Sequence, residues 1–292
     1  MNPATTLAFA GSRLDRADNV RSDPETLAAL MRDGARLLQL DGLLPTLGDD
    51  DALQWAPLES ASDGQELVFL GVSDGRGMFA AVPQEGDTAP AYAIRNVWEV
   101  LGRLSPDDLA TYGGARSLVD WHARHRFCAR CGGATKIAKG GWQRNCTRCQ
   151  AQHFPRVDPV AIMLVEHDDK LLLARQAHWP PRRYSALAGF IEPGESIEEA
   201  VAREVLEESG IRVRDVRYVA NQPWPFPSQL MIGCHAFADN TDLVIDTTEL
   251  EEAHWFTREE IDAAMAGDEN GRLLMPPSVA IAYQLLKWWL EQ

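Results

Sequence analysis

Apolar residues along this chain fall in short runs broken by turn residues, with a few stretches at helical spacing. The longest uninterrupted apolar run, residues 160–165, predicts a buried strand over 159–165. His167-Asp168-Asp169 reads as a turn, and residues 170–174 as the return strand of a hairpin. Further strands are expected near 186–191, 213–220 and 231–237, and helices near 196–209, 257–266 and 277–290. Strand and helix alternate without a strict repeat, which predicts an α+β fold, a mixed-sheet α/β/α sandwich. The N-terminal third mixes strand-like runs at 67–70 and 78–82 with helical stretches near 24–36 and 91–104. Ser105-Pro106-Asp107-Asp108 reads as a helix start, the helix running on toward His122 with a break at Gly113-Gly114.

The stretch from Ser196 to Gly210 says most about chemistry. Ser196 and Glu199 form a capping box, and Gly210 stands where a helix ends. At about 100° per residue, Ile197, Ala200, Val201 and Val205 share one face, and Glu204 and Glu208 project from it about 40° apart. Glu207 flanks them. A solvated charge run would put its acids opposite the apolar stripe. Like charges beside a buried face cost stability unless neutralised, and an all-oxygen donor set points to Mg²⁺ or Mn²⁺.

With 292 residues, the chain has room for two or three domains. A content of 45% hydrophobic and 24% charged residues excludes a disordered or collagen-like chain. No run approaches the roughly 18 apolar residues of a membrane span, and the first twenty residues hold no compact apolar segment. The expectation is a cytoplasmic protein without membrane partners. The net charge of −15 excludes a general DNA-coating role.

One segment departs from that acidic average. Residues 121–157 contain no Asp or Glu but hold Arg124, Arg126, Arg130, Lys136, Lys139, Arg144, Arg148 and Arg156. These cations suit either a nucleic-acid backbone or ion pairs with the acidic remainder. The same segment carries Cys128, Cys131, Cys146 and Cys149 in the spacing C-x2-C-x14-C-x2-C. Two such pairs present four thiolates to one structural Zn²⁺ and leave no open position for catalysis. Cys234 stands apart in an apolar context. The domains expected are residues 1–120, a mixed α/β scaffold or oligomerisation domain with no motif that carries chemistry; a zinc ribbon over 121–156; and a third over 157–292.

Gly189, Glu195, Arg203-Glu204, Glu207-Glu208 and Gly210 fit G-x5-E-x7-R-E-U-x-E-E-x-G-U, with Val205 and Ile211 at its apolar positions. This resembles the Nudix box of hydrolases acting on nucleoside diphosphates linked to another moiety. In physical terms, Gly189 would let the loop approach a phosphate. Beyond the box, Asn221-Gln222-Pro223-Trp224-Pro225-Phe226-Pro227 alternates prolines with aromatics. It reads as a stiff wall with two exposed rings for stacking a heterocycle, since its prolines exclude a central strand. The segment resembles the S-Q-P-W-P-F-P-x-S signature of the NADH pyrophosphatase branch, which also carries a four-cysteine zinc ribbon. Asn221 and Gln229 stand where that signature has Ser, and Phe154 where Tyr is common.

The resemblance implies hydrolysis of the NADH or NAD pyrophosphate to nicotinamide mononucleotide and AMP, and removal of the NAD cap from RNA, by a homodimer. It implies catalytic Glu204, Glu207 and Glu208, with Mg²⁺ or Mn²⁺ held by these, the Ala188 carbonyl and Glu249, and with Glu251 and Glu252 as rivals of Glu249. It further implies substrate contacts at Phe154, Phe190, Gln222, Pro223, Trp224, Pro225, Phe226, Pro227, Ser228, Gln229 and Ala282. Two alternatives stay open: a Nudix hydrolase of another substrate such as ADP-ribose, and a non-catalytic nucleotide- or RNA-binding protein.

Overall fold

A computed structural model of the chain describes residues 7–86, 95–268 and 270–292, so the expected helical residues 91–94 lie outside the described residues. The contacts gather into two compact units, where the sequence alone divides into three segments.

The first unit comprises Phe9–Val157 and Trp224–Ser228. It opens with α1 (Asp18–Arg21) and α2 (Pro24–Arg32). Asp23 caps α2 by accepting from the Glu25 N–H, with Pro24 in the first turn. The helix stops at Arg32, short of the expected residue 36, because Gly34 takes a φ of 64° and turns the chain into a strand. The strands are β1 (Arg36–Leu38), a β2–β3 hairpin (Leu40–Asp41 and Leu44–Pro45), β4 (Trp55–Pro57), β5 (Leu67–Ser73) and β6 (Arg76–Ala81). A mixed sheet runs β4-β1-β6-β5, with β1 parallel to β6 and Leu37 opposite Phe79. Leu37, Leu58, Phe69 and Phe79 lie in its core.

Next come α3 (Arg95–Leu101) and α4 (Pro106–Arg124). Ser105 caps α4 through its Oγ, which accepts from the Asp108 N–H at 3.2 Å. The expected break at Gly113-Gly114 is absent, and α4 is continuous. A Cβ on Gly113 would lie 2.9 Å from Phe9 Cδ1, so this glycine serves close packing rather than a bend. The four-cysteine segment forms the antiparallel sheet β7 (Thr135–Ala138), β8 (Gln143–Cys146) and β9 (Gln152–His153).

The second unit holds Leu7 and Ala8 with residues 158–223 and 229–292. Its strands are β10 (Asp158–His167), β11 (Lys170–Arg175), β12 (Leu187–Phe190), β13 (Val213–Trp224), β14 (Gln229–Ala238) and β15 (Glu252–Thr257); its helices are α5 (Ile197–Ser209), α6 (Arg258–Met265) and α7 (Ile281–Leu290). The sheet order is β13-β14-β10-β11-β15, with β12 also paired to β10. β10 and β14 run parallel from Asp158–Gln229 to Glu166–Phe237.

Alternation of side chains sorts the apolar residues onto two faces. Ile162, Leu164, Leu171 and Leu173 pack with Ile261 of α6 and with Ile281, Leu285, Leu286 and Trp289 of α7. Ala161, Met163, Val165, Leu172 and Ala174 pack with Val201 and Val205 of α5. The sheet lies between helices on both faces, as the α/β/α expectation has it. Among the described residues no helix is long and apolar enough to cross a membrane.

Candidate active site

The capping box on α5 is complete. Ser196 Oγ accepts from the Glu199 N–H at 3.2 Å, and Glu199 Oε2 accepts from the Ser196 N–H at 2.7 Å. Such a cap contributes about 1 kcal/mol and fixes where the helix begins. Gly210 ends it in the left-handed region at φ 72°. Val201 and Val205 are fully buried against the sheet, which fixes the rotation of the helix. Glu208 consequently enters the interior at 6% exposure, Glu204 is mostly buried, and Glu207 stays in solvent.

Arg203 organises the acids around it. Its Nε and Nη2 donate to the two carboxylate oxygens of Glu195 at 2.6 and 2.9 Å. Its Nη1 donates to Glu204 Oε1 at 2.8 Å and Glu207 Oε2 at 3.0 Å, and its Nη2 also donates to the Phe190 carbonyl at 2.9 Å. The guanidinium holds the Glu195 carboxyl down to about 2. Gly189 has a different role from the phosphate approach expected of it, because the place of its missing side chain is taken by the Glu204 carboxylate. Ala188, just before it on β12, is in register with Ile162 of β10.

Glu208 is the anomaly. Its Oε2 is buried without a hydrogen-bond partner among the described residues. Burial first, then the charges of Glu204, Glu249, Asp246 and Glu207, push its carboxyl up to about 8. A buried, unpaired carboxyl facing other carboxylates is a donor set that a hard divalent cation satisfies. Glu204, Glu207, Glu208 and Glu249 would hold such a cation.

The structure also separates Glu249 from its two rivals. Glu251 is ion-paired to the buried Arg175, whose carbonyl accepts from the Glu251 N–H at 2.9 Å. Glu252 accepts from the Tyr184 hydroxyl at 2.6 Å and lies 3.2 Å from His254 Nε2. Glu249 remains exposed, with its charge felt at Glu208.

The residues expected to touch substrate divide into exposed and buried sets. Phe190 and Phe154 are 53% and 60% exposed, each available for stacking. Trp224 and Phe226 are not the exposed rings expected of them. Trp98 stacks on Trp224 at 5.6 Å and meets Phe226 at 5.3 Å, while Phe9 packs edge-on against both. The Arg116 guanidinium covers Phe226 at 4.6 Å and hydrogen-bonds the Pro225 carbonyl, and Ser117 Oγ donates to the Pro227 carbonyl at 3.1 Å. Pro225 and Ser228 are buried, Gln229 is half-buried, and Pro223 is exposed on the edge strand β13, where a proline removes no pairing.

Gln222 is committed to the fold. Its Nε2 donates to the carbonyls of Ala8 and Val279, and its Oε1 accepts from the Ile281 N–H at 2.8 Å. It thereby satisfies an otherwise orphaned donor at the start of α7. Ala282 faces the core at 3% exposure.

In the ribbon, the four sulfurs lie within 4.8 Å of one another, with Cys128–Cys149 at 3.7 Å and Cys131–Cys146 at 3.5 Å. Tetrahedral Zn–S bonds near 2.3 Å give edges of about 3.8 Å, whereas a disulfide needs about 2.05 Å. The cluster fits structural zinc. The N–H groups of Arg148 and Cys149 point at Cys146 Sγ, at 3.3 and 3.4 Å.

Part of the basic character of this segment is used internally. Arg144, only 2% exposed, grips Glu66 with both terminal nitrogens at 3.2 and 2.8 Å, and Arg126 joins it at 3.1 Å. Arg124 pairs with Asp120. Arg130, Lys136, Lys139, Arg148 and Arg156 are exposed.

Comparison with known proteins matches three family models along the chain. Residues 155–275 match the family described as NUDIX domain, and 123–154 the NADH pyrophosphatase zinc ribbon domain. Residues 25–121 match the NADH pyrophosphatase-like rudimentary NUDIX domain, an identity that their sequence pattern did not disclose. The NAD-capped RNA hydrolase NudC of Mycobacterium tuberculosis is 42% identical over 291 residues, covering 94% of this chain and 92% of that protein. The NAD-capped RNA hydrolase NUDT12 of Homo sapiens is 47% identical over 210 residues, covering 68% of this chain and 46% of that protein. The chain thus spans about half the length of curated relatives of the latter kind. A crystal structure of a NUDIX hydrolase from Nitrosomonas europaea is 26% identical with a TM-score of 0.47, covering 57% of this chain and 90% of that one. Matched to NudC over nearly its whole length, the chain belongs to the Nudix family, in the branch that carries the NADH pyrophosphatase zinc ribbon.

Proposed function

We propose that this chain is an NAD(H) diphosphatase that hydrolyses the pyrophosphate of NADH or NAD to nicotinamide mononucleotide and AMP. On RNA carrying a 5′ NAD cap, the same cut leaves a 5′-monophosphate. The observation that carries this reading is the buried, unpaired Glu208 carboxyl amid the charges of Glu204 and Glu249, within an intact Nudix box. The match to NAD-capped RNA hydrolases supports the choice of substrate.

A bound Mg²⁺ or Mn²⁺ would neutralise phosphoryl oxygens and lower the pKa of an attacking water. The protein's own part is positioning. Arg203 holds Glu204 and Glu207 in fixed rotamers and ties the Phe190 carbonyl to the same guanidinium. The exposed Phe190 ring offers a stacking surface for a base, with Pro223 and Gln229 of the same unit as further contacts. Homodimeric assembly and a cytoplasmic location belong to the same reading.

The test is product analysis of a small panel (NADH, NAD, ADP-ribose, a dinucleoside polyphosphate and a short NAD-capped RNA) with Mg²⁺ or Mn²⁺. Mononucleotide products with NADH or the capped RNA preferred are expected. A preference for ADP-ribose would assign the chain another Nudix specificity, and no turnover of any would indicate a binding protein.

A further inference from the structure

The loop that delivers Glu249 is anchored at both ends, and one side chain shapes what lies between. At one end, the Val244 N–H donates to the Ser209 carbonyl at 2.8 Å, and the Asp246 N–H to the Glu208 carbonyl at 3.0 Å. Ile245, between Val244 and Asp246, packs on the α5 side of the sheet, as does Leu250, which is 5% exposed. At the other end, Glu251 is fixed to Arg175. Between them, Asp246 Oδ1 accepts from the Thr248 N–H at 2.8 Å and from Thr248 Oγ1 at 2.7 Å. The Asp246 carbonyl accepts from the N–H groups of Glu249 and Leu250 at 3.3 and 3.0 Å. Asp246 therefore holds the last turn of α5 through its backbone and the turn bearing Glu249 through its side chain.

We propose that Asp246 is a positioning residue for the cation site: it sets Glu249 against the buried, unpaired Glu208 carboxyl. The inference rests on the reading that the box glutamates and Glu249 bind a divalent cation. Asp246 acts through the turn, by accepting two hydrogen bonds at one oxygen. An asparagine, which keeps that acceptor, replaces it in function; an alanine does not.

The test is Mn²⁺ titration of the full, zinc-loaded chain without nucleotide, following free Mn²⁺ by electron paramagnetic resonance. Asp246→Ala should weaken Mn²⁺ binding by about tenfold or more, the scale typical of partners that orient metal ligands, whereas Asp246→Asn should stay within about twofold of wild type. Melting of the zinc-loaded chain without added Mn²⁺ should barely move in either, which a merely structural role would not allow. Thr248→Ala, which removes one of the two bonds, should shift affinity in the same direction by less, and it carries the test if Asp246→Ala fails to fold. Wild-type affinity in Asp246→Ala, or in Thr248→Ala where that variant carries the test, overturns the proposal. So does a loss in Asp246→Asn equal to that in Asp246→Ala, which would make charge rather than geometry the cause. Glu208→Gln separates the levels: if it too binds Mn²⁺ like wild type, the cation site itself is wrong.

Discussion

A Cβ placed on Gly189 would lie 1.9 Å from Cδ of Glu204 and 2.0 Å from its Oε1. The glycine on β12 and the glutamate on α5 thus occupy one space, and the carboxylate's position depends on a side chain that is missing. Gly189→Ala should expel Glu204 from its place beside Arg203 and lower kcat at least tenfold, on the scale of one lost electrostatic contact. Zinc content should not change. Steady-state kinetics with metal analysis checks this; a variant with wild-type kcat would show that Glu204 works from elsewhere.

For Glu208 the expectation has two signs. Its folded pKa, about 8, lies above the ordinary carboxylate value, so its neutral form stabilises the metal-free protein. That contribution is fully present below the unfolded pKa of about 4.5 and is lost as pH rises through about 8. Glu208→Gln should abolish turnover yet remove this alkaline loss, the zinc-loaded variant melting at or above wild type at pH 8 without added Mg²⁺ or Mn²⁺. Glu198→Gln, on the exposed side of α5, should leave turnover nearly unchanged. Melting curves across pH with matched kinetics decide it, and equal damage from both variants would refute the helical-face argument.

How much of this was legible in the sequence depends on distance along the chain. The rotation of α5 could be read because a capping box and a helical period are local. The covering of the half-buried Trp224 and Phe226 could not, because Phe9 and Trp98, which pack on them, come from remote segments with no pattern linking them. Gly189 was legible as a required glycine but not for its reason, which needs Glu204 in place. The rudimentary Nudix fold of residues 25–121 carries no chemical motif in its sequence, so only its strands and helices could be expected.

The ribbon should contain about one zinc per chain. Cys128→Ser or Cys146→Ser should unfold it and lower stability by several kcal/mol, because metal binding and folding of such a module are one equilibrium. Elemental analysis and chelator-dependent melting are the measurements. Zinc-free protein with chelator-insensitive folding would contradict the assignment.

His122 gives the first unit an acid sensitivity. Its Nε2 lies 2.6 Å from the Gly141 carbonyl and its Nδ1 3.0 Å from Arg144 Nη1, so the neutral ring donates to one and accepts from the other. Burial chiefly pulls its pKa down to about 4, and a proton on Nδ1 would confront the Arg144 guanidinium. The unfolded chain takes up that proton near 6.5, so stability is full above about 6.5, falls as pH drops toward 4, and levels off below, by ~3 kcal/mol in all. Denaturant titrations of wild type and His122→Gln over this range should show the flatter profile in the variant. Identical slopes would remove His122 as the cause.

Phe190→Ala tests the substrate. Stacking of a base on an aromatic ring is worth about 1–3 kcal/mol, so kcat/KM for NADH should fall roughly tenfold to a hundredfold. ADP-ribose, which lacks nicotinamide, should be affected much less. The ratio of the two efficiencies in wild type and variant is the measurement, and a ratio that does not move would favour a different specificity.

The parallel pairing of β10 with β14 bears on how the enzyme comes into being. Every residue of β12, the box loop and α5 lies in the chain between these two strands, which meet across about seventy residues of sequence. The pair cannot close until that intervening segment is accommodated, and loop closure over such a span is entropically costly before it is rewarded. The box is therefore enclosed by a long-range contact, and an excised box peptide would lack the sheet against which α5 is set. A nascent chain stopped before Gln229 would contain every catalytic glutamate of α5 and still lack an active site.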